Sequence, residues 1–310
     1  MRFPLIDFGP IQVFTDILIA PTPLIVTTPV RCFIAVLLFS ASPNLRLSGQ
    51  TGDVPTPKLC STVFTPGDLA SKPTAVGERR DVVDLPTEKL EKLECHISTL
   101  NPGRPSHPPH RHPQEELIIL RTGELEVFIN GNKRRIGAGS LFFFASYDLH
   151  CVQNVGAIPA IYYVLNFATT LTRTIPTIPA ADSERPGQLR STVYDWQNLV
   201  PTPTSTGMRR PVFDSPSVTA DRLRCEVRTL NVGATAAPGF ATRDEDAVFF
   251  VKEGTLETSI NGIAQSAGAG SVIYSAASDQ RTIKNAGQMP ATYYAIAIRP
   301  PTRQTSGFKR

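Results

Sequence analysis

The feature that most constrains this chain is that it repeats itself. "LECHISTLNPG" (Leu93–Gly103) recurs as "LRCEVRTLNVG" (Leu223–Gly233), sharing Leu, Cys, Thr, Leu, Asn and Gly at an offset of 130 residues. Asp84 and Pro86 match Asp214 and Pro216 at the same offset. One residue is then added in the second copy, and the offset becomes 131. "GELEVFING" (Gly123–Gly131) matches "GTLETSING" (Gly254–Gly262), "GAGS" at Gly137 recurs at Gly268, and Tyr162-Tyr163 matches Tyr293-Tyr294. So steady a spacing identifies a duplicated folding unit.

Each copy reads as β structure. "ELEVFING" alternates apolar and polar residues, which places Leu125, Val127 and Ile129 on one face, and it ends in Asn130-Gly131, a strong tight-turn signal. "AIYYVLNF" is a β-branched and aromatic run. The 28 prolines and 21 glycines favour short strands and frequent turns over long helices. The expected fold class is all-β: two tandem antiparallel barrels of jelly-roll type, with about seven strands each. Cys95 and Cys225 sit at equivalent positions and are expected as small core residues of separate barrels.

The layout that follows is an N-terminal tail (1–56), a first barrel (57–170), a polar linker (171–206), a second barrel (207–300) and a basic tail (301–310). Within the first tail, residues 30–42 place Arg31 before an apolar run of about ten residues, similar to a secretory signal. The alternative is a loosely docked tail. The protein would be secreted or periplasmic under the first reading and cytoplasmic under the second. The run is too short for a membrane span, which takes about 20 residues.

Composition removes several function classes. The net charge is only +4 and the basic residues are scattered, which argues against a nucleic-acid face. The five cysteines contain no CxxC pair, so neither a zinc knuckle nor a disulfide framework is indicated. Hydrophobic residues at 41% are enough for a packed core, and the implied partner is a small molecule; association into a homo-oligomer stays open.

The chemistry concentrates in "HPPHRHPQEELIILRTG" (His107–Gly123), which holds three of the five histidines. If the stretch is a strand, the even-numbered His110, His112 and Glu116 share a face, with Ile118 and Leu120 continuing it. His150 lies 34 residues beyond Glu116 and could return on a neighbouring strand. Three imidazoles and a carboxylate suit one divalent transition metal of the Fe, Mn, Ni, Cu or Zn type. The bland reading is a solvated, histidine-rich loop. His107 and Tyr147 are candidates for the rim of a substrate pocket. Glu115, of opposite parity, is expected to face outward or to form a salt bridge.

These residues resemble the two motifs of the cupin superfamily. The first motif, G-x5-HxH-x3,4-E-x6-G, is matched by Gly103, His110, His112, Glu116 and Gly123, with six residues instead of five after Gly103. The second, G-x5-PxG-x2-H-x3-N, is matched by Gly131, Gly139, His150 and Asn154, with Gly137 in place of proline and a longer gap before His150. The resemblance implies a two-domain bicupin, each domain a double-stranded β-helix, with His110, His112, Glu116 and His150 as metal ligands. Carried through the offset of 131, those ligands become Ala241, Arg243, Ala247 and Arg281 in the second copy. That barrel is therefore expected to be metal-free, serving either as support or as an anion site lined by Arg243 and Arg281. The resemblance further implies a metal-dependent enzyme, such as a dioxygenase for a small oxygen-rich substrate. The alternative is a non-catalytic metal- or ligand-binding, storage-type bicupin. No catalytic residue beyond the ligand set can be named from sequence.

Overall fold

The computed structural model describes residues 56–177 and 186–302. The signal-like segment 30–42 and nearly all of both tails lie outside the described residues. The described residues form twenty strands. None of their helices is long and apolar enough to cross a membrane.

The first ten strands are β1 (Thr62–Phe64), β2 (Lys72–Thr74), β3 (Gly77–Leu85), β4 (Lys92–Leu100), β5 (Glu115–Thr122), β6 (Glu124–Ile129), β7 (Asn132–Gly137), β8 (Leu141–Phe144), β9 (His150–Asn154) and β10 (Ala160–Ala168). Their counterparts are β11 (Thr192–Tyr194), β12 (Thr202–Thr204), β13 (Gly207–Ser215), β14 (Arg222–Leu230), β15 (Asp246–Glu253), β16 (Thr255–Ile260), β17 (Ile263–Gly268), β18 (Val272–Ser275), β19 (Arg281–Asn285) and β20 (Ala291–Arg299). The two halves carry equivalent sheets, one of seven strands and one of three. The Asn-Gly turns form as the sequence indicates. Asn130 and Gly131 both have positive φ (46° and 93°), as a type I′ turn demands, and join β6 to β7 in register.

The halves trade their first strands. β11 pairs with β8 in the first half's large sheet, while β1 pairs with β18 in the second. Residues 62–64, placed with the first barrel from sequence, thus bond to the second. The stretch 171–206, read as a linker, carries two strands. The repeat in fact begins earlier than its obvious core: "LCSTVFTPGDLASKPT" (Leu59–Thr74) and "LRSTVYDWQNLVPTPT" (Leu189–Thr204) align at an offset of 130. Its strands are three residues long and two of the four carry a proline, so periodicity alone reads it as loop. Side chains fasten the exchange. Ser191 accepts from the Ala145 amide and donates to Asp148, and Ser61 accepts from the Ala276 amide and donates to Asp279.

The large sheets are buried on both faces. Ile118, Leu120, Phe142, Phe144, Tyr162 and Val164 fill the interior of the first barrel. The alternate residues Leu117, Ile119, Phe143, Tyr163 and Leu165 join Val248, Phe250, Tyr294 and Ile296 in one core shared by both halves. Double burial explains why "LIIL" (Leu117–Leu120) and "LFFF" (Leu141–Phe144) read as continuous apolar runs instead of alternating. Cys95 and Cys225 lie in this shared core as free thiols.

Candidate metal centre

Three histidines converge at one end of the first barrel. His110, His112 and His150 each offer a nitrogen, and these nitrogens lie within 4.8 Å of one another. Glu116 adjoins two of them: its carboxylate is 3.5 Å from His112 Nε2 and 3.9 Å from His150 Nε2. Parity brings about only part of this. β5 begins at Glu115, so of the three even-numbered residues only Glu116 stands on a strand. Pro113, which lacks an N–H, precedes that strand, and His110 and His112 lie in the approach to it. His110 is placed instead by paired backbone hydrogen bonds with His150 of β9, 3.1 Å in each direction. The Tyr147 amide donates to the His112 carbonyl at 2.8 Å and pins the same loop.

The ring orientations are fixed from behind. His150 Nδ1 contacts the Asp148 carbonyl at 2.8 Å and His112 Nδ1 contacts the Gln114 carbonyl at 2.9 Å. A carbonyl can only accept, so each Nδ1 carries a proton; on His150 this leaves Nε2 as a lone pair facing the cavity. His112 Nε2 instead faces Glu116, and against the effect of burial the hydrogen bond and charge of that carboxylate raise the His112 pKa. Phe144 stacks on the His150 ring at 4.1 Å. Burial drives His150 down to about 4 against the pull of the Glu116 charge, so its imidazole is neutral at neutral pH. Burial also lowers His110, aided by the charges of His107 and His112. For Glu116, burial pushes upward, but the hydrogen bond from His112, with the His112 charge behind it, holds it below the usual carboxylate range.

His150 Nε2 is fully buried and has no hydrogen-bond partner. An orphaned lone pair in such a place is costly, and a cation held between three imidazoles and a carboxylate would satisfy it. The donor set therefore fits a transition metal.

The cluster opens into a cavity of about 540 Å³. His107 lines it, with its ring 4.0 Å from that of His110. Tyr147, expected at the pocket, is not among the lining residues; it serves through its backbone, since its carbonyl also accepts from Arg111. The cavity includes a residue that spacing did not single out, His96 of β4, so all five histidines of the chain line one space. His96 Nδ1 lies 2.6 Å from Glu94, which also accepts from Arg79 at 2.8 Å and Asn166 at 3.0 Å. The signal was present in "LECHIS", where Glu94, His96 and Ser98 alternate with apolar residues. A polar face on a strand flanked by core residues marks a wet interior.

Glu115 does not face outward. It is completely buried and points into the second half, where Ser217 and Thr219 hydroxyls donate to it at 2.6 and 2.5 Å and the Val218 and Thr219 amides at 3.0 and 3.2 Å. Its parity was opposite to that of Glu116 as expected, but the face it occupies is covered by the other half.

In the second barrel, Ala247 stands on β15 where Glu116 stands on β5, and Arg281 opens β19 as His150 opens β9. Ala241, Arg243 and Arg281 all line a separate cavity of about 350 Å³.

The architecture is that of a two-domain bicupin, with a histidine triad able to bind a metal in the first barrel. The cupin domain family model matches residues 96–166, the segment that holds the cluster. Among solved structures, AerE from Microcystis aeruginosa is similar with a TM-score of 0.54 at 15% identity, over 74% of this chain and 97% of that one. Bacillus subtilis oxalate decarboxylase, described with Mn(II) centres, is similar with a TM-score of 0.57 at 16% identity, over 79% of this chain and 78% of that one. The Lactobacillus farciminis oxalate decarboxylase formate complex gives 0.56 at 15% identity, over 79% and 88%. At such identities the likeness establishes the fold. No curated protein matches the sequence.

Proposed function

We propose that the first barrel holds one divalent transition-metal ion on His110, His112, His150 and Glu116, and that the protein is a metal-dependent enzyme for a small, oxygen-rich organic substrate. The observation that carries this reading is the buried, partnerless His150 Nε2 facing two further imidazoles in an open cavity. A metal there supplies Lewis-acid or redox chemistry to a substrate with oxygen donors.

The residues of the chain do the rest. The Asp148 and Gln114 carbonyls hold His150 and His112 in the tautomer that presents Nε2. Ile118, Phe144 and Tyr162 give the cavity an apolar wall that limits water. Arg79, Glu94 and His96 give it a polar wall suited to carboxylate, hydroxyl or carbonyl groups. His96 Nδ1 lies within hydrogen-bond reach of Glu94 at 2.6 Å, a pairing suited to general acid–base work. Oxidative cleavage with dioxygen is the reaction favoured by the sequence resemblance. Decarboxylation of a small diacid is the reaction of the Bacillus and Lactobacillus proteins that share the fold.

The test is metal analysis of purified protein, followed by oxygen uptake with catechols, gentisate-like acids and flavonols, and by carbon dioxide release from oxalate. Stoichiometric metal with turnover of one substrate class supports the reading. Metal without turnover across the panel would make the protein a binding module. Protein that takes up no metal would end the proposal.

A further inference from the structure

The second barrel keeps a cavity at the place where the first has its histidines, and the charge there is reversed in kind. Arg228, Arg243 and Arg281 line it, against a single carboxylate, Asp279. Two of these four charges are already engaged. Arg228 is paired with Glu226 and donates to the Ala237 carbonyl. Asp279 accepts from Ser61 and from Asn261. The nearby Glu245 is bound by Arg224 and the Thr242 amide, and Asp246 by Thr87 and the Ala277 amide.

Arg281 is different. Its guanidinium donates at 3.1 Å to the Ser275 hydroxyl and at 3.1 Å to the Ala241 carbonyl, both neutral acceptors. No carboxylate among the described residues forms an ion pair with it or with Arg243. A guanidinium has five N–H donors, so Arg281 retains donors for a ligand. The charges of Glu245, Asp246 and Asp279 reach Arg281 without pairing with it directly, and a partly buried guanidinium with spare donors favours the binding of an anion. The remaining walls are apolar: Phe240, Phe249, Ile283 and Tyr293 line the same space, with Arg281 6.0 Å over the Phe249 ring. At about 350 Å³ the cavity has room for a small molecule.

We infer that the second barrel is a binding site for a small monocarboxylate with an apolar or aromatic body. The carboxylate lies on Arg281, Arg243 guards the mouth, and the body packs against Phe240 and Phe249. This site is independent of the metal reading, since none of its residues belongs to the first barrel's cluster.

The experiment is calorimetric titration of the full-length, metal-stripped protein with benzoate, isovalerate and uncharged benzamide. A second measurement in the wild type follows phenylglyoxal modification of Arg281 by peptide mass spectrometry, with and without each acid. Benzoate or isovalerate is expected to bind, to slow modification of Arg281, and to bind at least about tenfold more weakly to Arg281→Gln, with Arg243→Gln weakened less. Benzamide is expected not to bind, and His110→Ala to leave binding unchanged. Circular dichroism checks that each variant folds; if Arg281→Gln does not, the protection measurement and Arg243→Gln decide. The inference is overturned if neither acid binds nor protects Arg281. It is equally overturned if Arg281→Gln, once folded, binds as the wild type does, or if His110→Ala abolishes binding and so locates the acid in the first barrel.

Discussion

Glu115 and Asp246 are equivalent residues of the two halves, and each buries its carboxylate in the opposite half. Glu115 takes four hydrogen bonds from residues 217–219, and Asp246 takes one from Thr87, the counterpart of Ser217. The two barrels are therefore joined by reciprocal polar clamps set in a shared apolar core, in addition to the traded strands.

Removing one clamp should loosen both halves together. Glu115→Ala leaves two hydroxyls and two amides without their acceptor in a buried place. A loss of about 3 kcal/mol is expected, since each buried group left unsatisfied costs roughly 1–3 kcal/mol and partial relaxation recovers some of it. Urea unfolding should register this as a lower midpoint in a single transition. A loss below about 1 kcal/mol would mean that the clamp contributes little.

Asp246 makes stability depend on pH. Burial drives its carboxyl above the ordinary value of 3.8, and the bonds from Thr87 and Ala277 pull the other way without prevailing. Because the folded-state pKa lies above the unfolded one, the contribution is complete below the unfolded value and is lost as pH rises through the folded value. Asp246→Asn should thus gain on the wild type as pH rises from about 4 toward neutrality. Thermal melts of both proteins across that range would check this; a constant difference would refute it.

Metal should stabilise the chain, and the stabilisation should depend on His150. At a hundredfold excess over its dissociation constant, a bound ion adds about 2.7 kcal/mol to folding. Stripping the wild type with EDTA should lower its melting temperature, and returning Mn, Fe or Zn should restore it. His150→Ala and His110→Ala should show neither response and should carry no stoichiometric metal by elemental analysis. Ala241→His alone, which supplies a single imidazole to the second barrel, should not create a second metal equivalent.

Glycines that share a left-handed φ should differ in their tolerance. Gly254 has φ +79°, and a Cβ there would come within 2.8 Å of the Ala291 backbone. Gly131 has φ +93° but open space around it. Gly131→Ala should cost about 1 kcal/mol for the left-handed backbone alone, and Gly254→Ala more than about 2 kcal/mol because a strand must also move. Equal costs, measured by urea unfolding, would remove the distinction.

What the sequence determined by itself was the duplication, the Asn-Gly hairpins and the residues of the histidine cluster. These are local or periodic properties: offset, turn chemistry and spacing survive in one dimension. The loss of the cluster from the second copy was equally legible, because it needs only alignment of the chain with itself. Tertiary structure decided the rest. The exchange of β1 and β11 joins residues 49 or more positions from their new partners through three-residue strands too short to leave a pattern. Glu115 could be assigned to the face opposite Glu116 but not to burial, since only the second half covers that face. His96 entered the cavity because β4 lies beside β10 and across from the histidine loop, a proximity set by sheet order and not by spacing. His110 and His112 meet His150 through a backbone bridge and not along one strand, so parity selected residues that hydrogen bonding between distant segments brings together.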